Sequence, residues 1–73
     1  MNILQKLREG TGESQMSVAS QTGIHLPILS ALERRKLPIY PKYREKLGTH
    51  YGVSLEILTD EDGFARRLEE ATG

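Results

Sequence analysis

Residues 15–33 read QMSVASQTGIHLPILSALE, and this stretch decides the fold that the sequence predicts. Ser14 can cap a helix over residues 15–22, and Gly23 can end it because glycine adopts left-handed backbone at little cost. A second helix is expected from about Leu26 to Arg35, where Pro27 is tolerated because it lies in the first turn. Four apolar residues fill the wedge between the two helices: Val18, Ile24, Leu29 and Leu32. Ala19 is expected to be small because the two helices cross closely there. The stretch therefore predicts two short helices joined by a tight turn.

The sequence on either side of this stretch predicts further helices and no strand. Asn2 can cap a first helix, which Gly10 and Gly12 stop. Pro41 can open another helix, because its fixed backbone angle suits the first helical position, and Gly52 ends that helix. Both helices carry apolar residues at helical spacing, so each can bury one face.

The C-terminal part of the chain predicts two shorter helical segments. Ser54 can cap a short fifth helix over residues 55–58. Asp60 or Asp62 can start a last segment, in which the apolar residues lie on one helical stripe: Phe64, Ala65 and Leu68. We therefore expect a C-terminal helical tail that either caps the domain or forms a dimer contact.

The composition excludes several classes of protein. The chain has no cysteine and two histidines, His25 and His50, that lie far apart, so neither disulfides nor a metal site are expected. It contains no phosphate loop and no nucleophile with a matching base and acid, so we expect no enzyme and no cofactor. No apolar run is long enough to span a membrane, and residues 1–10 do not resemble a signal peptide. These features favour a cytoplasmic protein.

The net charge is zero, but the charges are unevenly distributed along the chain. Residues 33–50 contain six basic and two acidic side chains, which gives a net charge of +4. Residues 51–73 contain two basic and six acidic side chains, which gives −4. A basic middle segment is a candidate surface for nucleic acid, although ordinary solvated helix faces would give the same pattern.

The ordered set of residues over 2–60 resembles the helix-turn-helix family of phage repressors and Cro proteins, the lambda-repressor-like or XRE-type DNA-binding domains. Besides residues 15–33, the resemblance includes ERRK at 33–36 and LGTHYGVSLEIL at 47–58. It implies a compact, all-α, five-helix domain over residues 1–60, with residues 61–73 as the tail. It also implies a bacterial or phage transcriptional regulator, a repressor or Cro-like protein, that binds double-stranded DNA as a homodimer.

The resemblance assigns roles to particular residues of this chain. Gln15, at the start of the second helix, is expected to bond a phosphate, while His25 is either exposed near the helix start or in contact with DNA. The base-facing positions of the third helix are Leu26, Pro27, Ser30 and Ala31. The expected phosphate contacts lie at the end of that helix and in the loop after it: Arg34, Arg35, Lys36 and Lys42.

Two departures from the family pattern leave a second interpretation open. Leu26, Pro27 and Ala31 cannot form bidentate bonds to bases, so base readout would depend on apolar contact with thymine methyl groups. Arg35 stands where the family often has glycine, so we expect that helix end not to use left-handed backbone. The alternative is a protein-interaction module on the same scaffold (an antitoxin, an antirepressor or an assembly subunit), with Leu26, Pro27 and Ile28 as an apolar docking patch.

Overall fold

A computed structural model of the chain describes residues 1–68, which contain four α-helices. The helices are α1, Ile3–Thr11; α2, Gln15–Thr22; α3, Leu26–Glu33; and α4, Pro41–Tyr51. A 3₁₀ turn follows at Leu55–Ile57, and this part of the chain contains two isolated β-bridges but no regular strand. The Cα radius of gyration is 11.4 Å, close to the value of about 11 Å for a compact chain of this length. The protein is therefore a small, compact helical domain.

The first helix begins and ends at its predicted signals. The Asn2 side chain accepts a hydrogen bond from the Gln5 backbone N–H at 3.2 Å, and the Gln5 side chain accepts one from the Asn2 backbone N–H at 3.1 Å. This reciprocal capping satisfies two donors that a helix start otherwise leaves unpaired. The helix runs through Gly10 and ends at Gly12.

The two helices of residues 15–33 form as the sequence predicts. The Ser14 hydroxyl accepts from the Ser17 N–H at 3.1 Å, which caps α2. Gly23 ends α2 at a φ of 76°, a backbone conformation that glycine adopts without steric cost. Helix α3 begins at Leu26 and packs against α2. The connection between the two helices is therefore only three residues long.

The core lies where the apolar pattern places it. The four predicted wedge residues and Ala19 are all buried, and apolar residues from the other parts of the described chain are buried with them. The buried apolar side chains are Leu4, Val18, Ala19, Ile24, Leu29, Leu32, Ile39, Leu47, Leu58 and Ala65. Gly48 in α4 allows the 3₁₀ turn to approach closely, because a Cβ atom at that position would clash with Leu55.

The prediction of a fifth α-helix is not confirmed, and the prediction of a helical tail is wrong. Residues 55–57 form a 3₁₀ turn rather than a fifth α-helix, with Leu58 as its C-cap. The predicted tail is not helical over residues 61–68; the prediction for residues 69–73 lies outside the described part of the chain. Asp60 accepts from the N–H groups of Asp62 and Phe64, and Gly63 has a φ of 85°, so the chain turns back before a helix can form.

After this turn, the C-terminal segment pairs with other parts of the domain. The Arg66 N–H donates to the Leu58 carbonyl at 3.0 Å, and the Ile3 N–H donates to the Arg66 carbonyl at 2.8 Å. The Ile39 N–H donates to the Gly63 carbonyl at 2.7 Å. These backbone bonds, with the buried Ala65, join the segment to the start of α1 and to the loop after α3.

Candidate nucleic-acid interface

The two faces of α3 have different environments. Leu29, Leu32 and Glu33 are buried, whereas Pro27 and Arg34 on the other side are exposed. His25, the N-cap residue, is also exposed, and its side chain makes no capping bond. The inner face therefore fixes the helix to the domain, and the outer face is open to solvent.

The four predicted base-facing residues do not share one environment. Pro27 is exposed, while Ser30 and Ala31 are half-buried. Leu26 is half-buried and packs against the hydrophobic core, as does Ile28. The outer face therefore presents the exposed Pro27 and the half-buried, small Ser30 and Ala31, with Arg34 just after its end.

Gln15 and Glu33 belong to one polar cluster beneath the outer face. The Glu33 side chain is 1% exposed, and its carboxylate accepts from Arg8 Nε at 2.9 Å and from Gln15 Nε2 at 2.9 Å. Asn2 adds a bond from its side-chain amide to the Glu33 carbonyl at 2.6 Å. Gln15, the predicted phosphate contact, is thus oriented by a carboxylate at the end of α3.

This cluster fixes the geometry between three helices. A buried carboxylate is costly unless it is paired and hydrogen-bonded, and both conditions hold for Glu33. Because Arg8 lies on α1, Gln15 begins α2 and Glu33 ends α3, each bond joins two helices. The Glu33–Arg8 bond also raises the pKa of Arg8, despite its partial burial.

Three of the predicted basic contacts are exposed: Arg34, Lys36 and Lys42. None of the three forms an ion pair with any residue in 1–68. The Arg34 guanidinium lies 3.4 Å from the Ser30 carbonyl on its own helix, and the Lys42 ammonium lies 5.0 Å from the Tyr43 ring centroid. These cations can therefore approach an external anion without first breaking an internal ion pair.

Arg35 has a different environment from its two neighbours in sequence. Its φ is 56°, so our prediction that this helix end avoids left-handed backbone is wrong. The Arg35 N–H donates to the Leu32 carbonyl and the Lys36 N–H to the Ala31 carbonyl, which is the usual hydrogen-bond pattern of a glycine-ended helix. A side chain in this conformation costs roughly 1–2 kcal/mol.

Tertiary contacts compensate for this cost. Arg35 Nη2 donates to Asp60 Oδ2 at 2.6 Å, and Arg35 Nε donates to the Ala65 carbonyl at 2.9 Å. The guanidinium carbon lies 5.5 Å from the Phe64 ring centroid. We call these three contacts the Arg35 clasp. They explain how an arginine is tolerated where glycine is the usual residue.

The other two basic residues of segment 33–50, Arg44 and Lys46, have different surroundings. Lys46 donates to the Thr22 carbonyl at 3.3 Å, near the C-terminal end of α2. The Nε atom of Arg44 is buried, and it has no hydrogen-bond partner among the described residues. Lys46 is nevertheless exposed, so four of the six basic residues of the segment face solvent, whereas Arg35 and Arg44 are half-buried.

Sequence reasoning missed Glu33 as a buried anchor and Asp60 as the partner of Arg35. Helical spacing could have identified Glu33, because it lies four residues after Leu29 and one after Leu32, on the inner face. No comparable signal exists for Asp60, which is 25 positions from Arg35 along the chain.

Within residues 1–68, no cluster of three or more His, Asp or Glu side chains is arranged to hold a metal ion. No helix in the same part of the chain has the length and apolar character needed to cross a membrane. Comparisons with protein-family models, with curated proteins and with solved structures find no match for this chain. We therefore infer its function from its own side chains and their surroundings.

Proposed function

We propose that the protein is a sequence-specific DNA-binding transcriptional regulator whose α2 and α3 act as a helix-turn-helix of the lambda-repressor-like kind. The observation that carries this proposal is the outer face of α3. Pro27 is exposed there, the small residues Ser30 and Ala31 are half-buried, and exposed cations without ion pairs follow the helix in sequence. On this proposal α3 enters the major groove, and Arg34, Lys36 and Lys42 neutralise phosphates.

The size of α3 and its side chains supports this placement. An α-helix with side chains is about 10–12 Å across, and the major groove is about 12 Å wide. Small residues such as Ser30 and Ala31 would let the helix lie deep in the groove. Apolar contacts there can recognise thymine methyl groups, so we expect T-rich target sites with modest discrimination at each position.

The helix starts also suit a polyanion. None of the four α-helices has an acidic residue in its first turn. Lys42 even occupies the first turn of α4, where the helix dipole disfavours a cation. A surface that presents helix N-termini and cations together attracts phosphate groups. This pattern adds to the support from the outer face of α3.

The proposal implies a particular mode of assembly. A single helix in one groove reads few bases, so regulators of this kind act as homodimers on two-fold operators, with half-sites about one helical turn apart. A cytoplasmic location follows from the same proposal, since bacterial and phage DNA lies in that compartment.

The structure offers less support to the alternative, a protein-interaction module. Its docking patch consists of Leu26, Pro27 and Ile28, but Leu26 and Ile28 pack against the core of the domain. Of these three residues, Pro27 alone is exposed. An apolar anchor contributes strongly to binding when it fills a partner's pocket, and one exposed proline provides little area for that.

The test is the salt dependence of binding to a mixed-sequence duplex. Each lost phosphate contact should lower the slope of log affinity against log salt by about 0.9. We expect Arg34→Ala, Lys36→Ala and Lys42→Ala each to reduce the slope by that amount. Lys6→Ala is the matched control, because Lys6 is an exposed cation on α1, outside the basic segment.

Lys6→Ala should leave the slope close to that of the wild type. If the wild-type protein shows no salt-dependent binding to any duplex, the proposed function is wrong. If all four variants lower the slope equally, the protein binds DNA only through its general charge, and the placement of α3 is wrong.

A further inference from the structure

Three neighbouring cations follow α3, and the middle one differs from the other two. Arg34 and Lys36 are exposed, whereas the side chain of Arg35 is 22% exposed and bonded to Asp60. The resemblance to the helix-turn-helix family implies that all three residues contact phosphates. The contacts of Arg35 are instead with residues 25–30 positions further along the chain.

We propose that Arg35 is a positioning residue, whose clasp onto Asp60 and Ala65 fixes the turn from which Arg34 and Lys36 reach phosphates. This inference rests on the proposed function, and it assigns Arg35 and Asp60 a shared role within it. Arg35 then contributes to DNA binding through the backbone of the turn and makes no phosphate contact of its own.

The geometry of the turn supports this role. The N–H groups of Arg34, Arg35 and Lys36 all donate back to carbonyls of α3, so the turn is a direct continuation of that helix. Its left-handed residue is an arginine, a conformation that persists only when surrounding contacts fix it. The clasp supplies those contacts.

Binding then requires less ordering of the two outer cations. Fixing a long, flexible side chain on binding opposes association, and a pre-organised backbone reduces that cost. The Arg35 guanidinium already donates to the Asp60 carboxylate and the Ala65 carbonyl. A phosphate could accept from the same N–H groups only by displacing those two acceptors. Asp60 is thus part of the binding machinery although it carries the same charge sign as DNA.

The negative charge of Asp60 allows a test in which two explanations predict opposite changes in DNA affinity. Asp60→Asn removes one negative charge. Loss of a negative charge alone predicts tighter DNA binding. A role for Arg35 as a phosphate contact predicts the same result, since the substitution would release the Arg35 side chain from Asp60. The clasp predicts weaker binding, because the asparagine NH₂ group would present a donor to the Arg35 donor. The asparagine oxygen can still accept the two backbone bonds that Asp60 Oδ1 now accepts.

Asp62→Asn is the matched control. It makes the same change in charge two residues away, and the Asp62 side chain is exposed and makes no hydrogen bond with residues 1–68. We expect Asp60→Asn to lower affinity for a mixed-sequence duplex by about threefold to tenfold, the range expected when one or two long side chains must be reordered on binding. Asp62→Asn should leave affinity unchanged or raise it.

The slope against salt separates positioning from contact. For Asp60→Asn the affinity should fall at every salt concentration while the slope stays at the wild-type value, because the number of phosphate contacts is unchanged. Arg35→Lys keeps the charge but loses the planar fork that bonds Asp60 and Ala65 together, so it should behave like Asp60→Asn. Thermal melts followed by circular dichroism identify a temperature at which every variant is folded.

Tighter binding by Asp60→Asn than by the wild type would overturn the inference, and so would equal binding by Asp60→Asn and Asp62→Asn. A slope that falls by about one unit in Arg35→Gln, which removes the cation that Arg35→Lys retains, would assign Arg35 to a phosphate contact and overturn the inference as well. A wild-type protein that binds no duplex would reject the proposed function itself. That result is distinct from the others, in which the wild type binds and only the role of Arg35 fails.

Discussion

The two ends of α3 are fixed to the domain by different kinds of contact. At its start, Leu26 and Ile28 pack against the core, and His25 makes no capping bond. At its end, Glu33 accepts bonds from two other helices, and the Arg35 clasp fixes the turn that follows. Apolar packing leaves the start free of polar constraints, whereas the end is oriented by directional bonds. The end is therefore the part whose position is defined most sharply.

The largest expected effect comes from the apolar contacts in the middle of the helix. Leu29→Ala or Leu32→Ala should cost roughly 2–5 kcal/mol of unfolding free energy, because each change leaves a cavity in the core. In a domain this small, little native protein would remain. Urea unfolding followed by circular dichroism measures the loss.

Ser30→Ala, on the half-buried outer side of the helix, is the control and should change stability by no more than roughly 0.5 kcal/mol. If both leucine variants kept their melting temperature within a few degrees of the wild type, the assignment of the inner face would be wrong.

A smaller effect is expected at the polar end. Glu33→Gln keeps the shape of the side chain but removes the charge that pairs with Arg8, and it leaves one oxygen to replace two acceptors. We expect a loss of roughly 1.5–3 kcal/mol, the usual range for a hydrogen bond to a charged group. The same unfolding experiment detects it.

Glu61→Gln makes the same chemical change at an exposed side chain that bonds nothing in residues 1–68, and it should have almost no effect. Equal losses in Glu33→Gln and Glu61→Gln would mean that the Glu33 cluster does not stabilise the end of α3.

The smallest expected effect is the loss of stability at acid pH. Acid protonates carboxylates and leaves apolar contacts unchanged, so it distinguishes the two kinds of contact. Partial burial raises the pKa of Asp60, but the bonds from Arg35 and from the N–H groups of Phe64 and Asp62 outweigh it, so the pKa lies below its ordinary value. The pKa of Glu13 is lowered too, by bonds from His50 and Thr11. A carboxyl group with a depressed pKa stabilises the fold above its unfolded pKa of about 4, and this contribution is lost as the pH falls through the folded pKa.

Stability should therefore decrease as the pH falls below about 4, and part of that decrease should be missing in Asp60→Asn. Urea midpoints between neutral pH and about pH 2 measure the difference between the two proteins. Identical pH profiles for the wild type and Asp60→Asn would show that the Arg35 clasp does not contribute to stability.

The ends of a helix could be predicted from the sequence when one or two nearby residues determine them. Ser14, Gly23 and Gly52 act on backbone groups within four residues of themselves, so their effect can be inferred without knowing the fold. The tail prediction failed for the opposite reason. The stripe of Phe64, Ala65 and Leu68 suits a helix, but Gly63 and the backbone pairing with α1 favour a turn and extended chain.

For the candidate interface, the sequence predicted which types of residue are present but not how each side chain is placed. The basic segment and the helix that precedes it follow from the order of the chain. Which cations are exposed does not, because Arg34, Arg35 and Lys36 are equivalent by charge and adjacent in sequence. Their environments diverge through Asp60, Phe64 and Ala65, which the fold brings to Arg35 alone.

Local residue patterns were enough to predict the four α-helices, the buried wedge between α2 and α3, and the basic middle of the chain, since local backbone preferences and helical periodicity act over a few residues. The folded domain is needed to explain why Glu33 is buried, why Arg35 adopts left-handed backbone and why the C-terminal segment is extended. The third also involves a local turn, in which Asp60 accepts from the Phe64 N–H. All three involve bonds between residues at least 18 positions apart. Such bonds form only when packing of the apolar faces has already brought distant segments together, and no local preference encodes them.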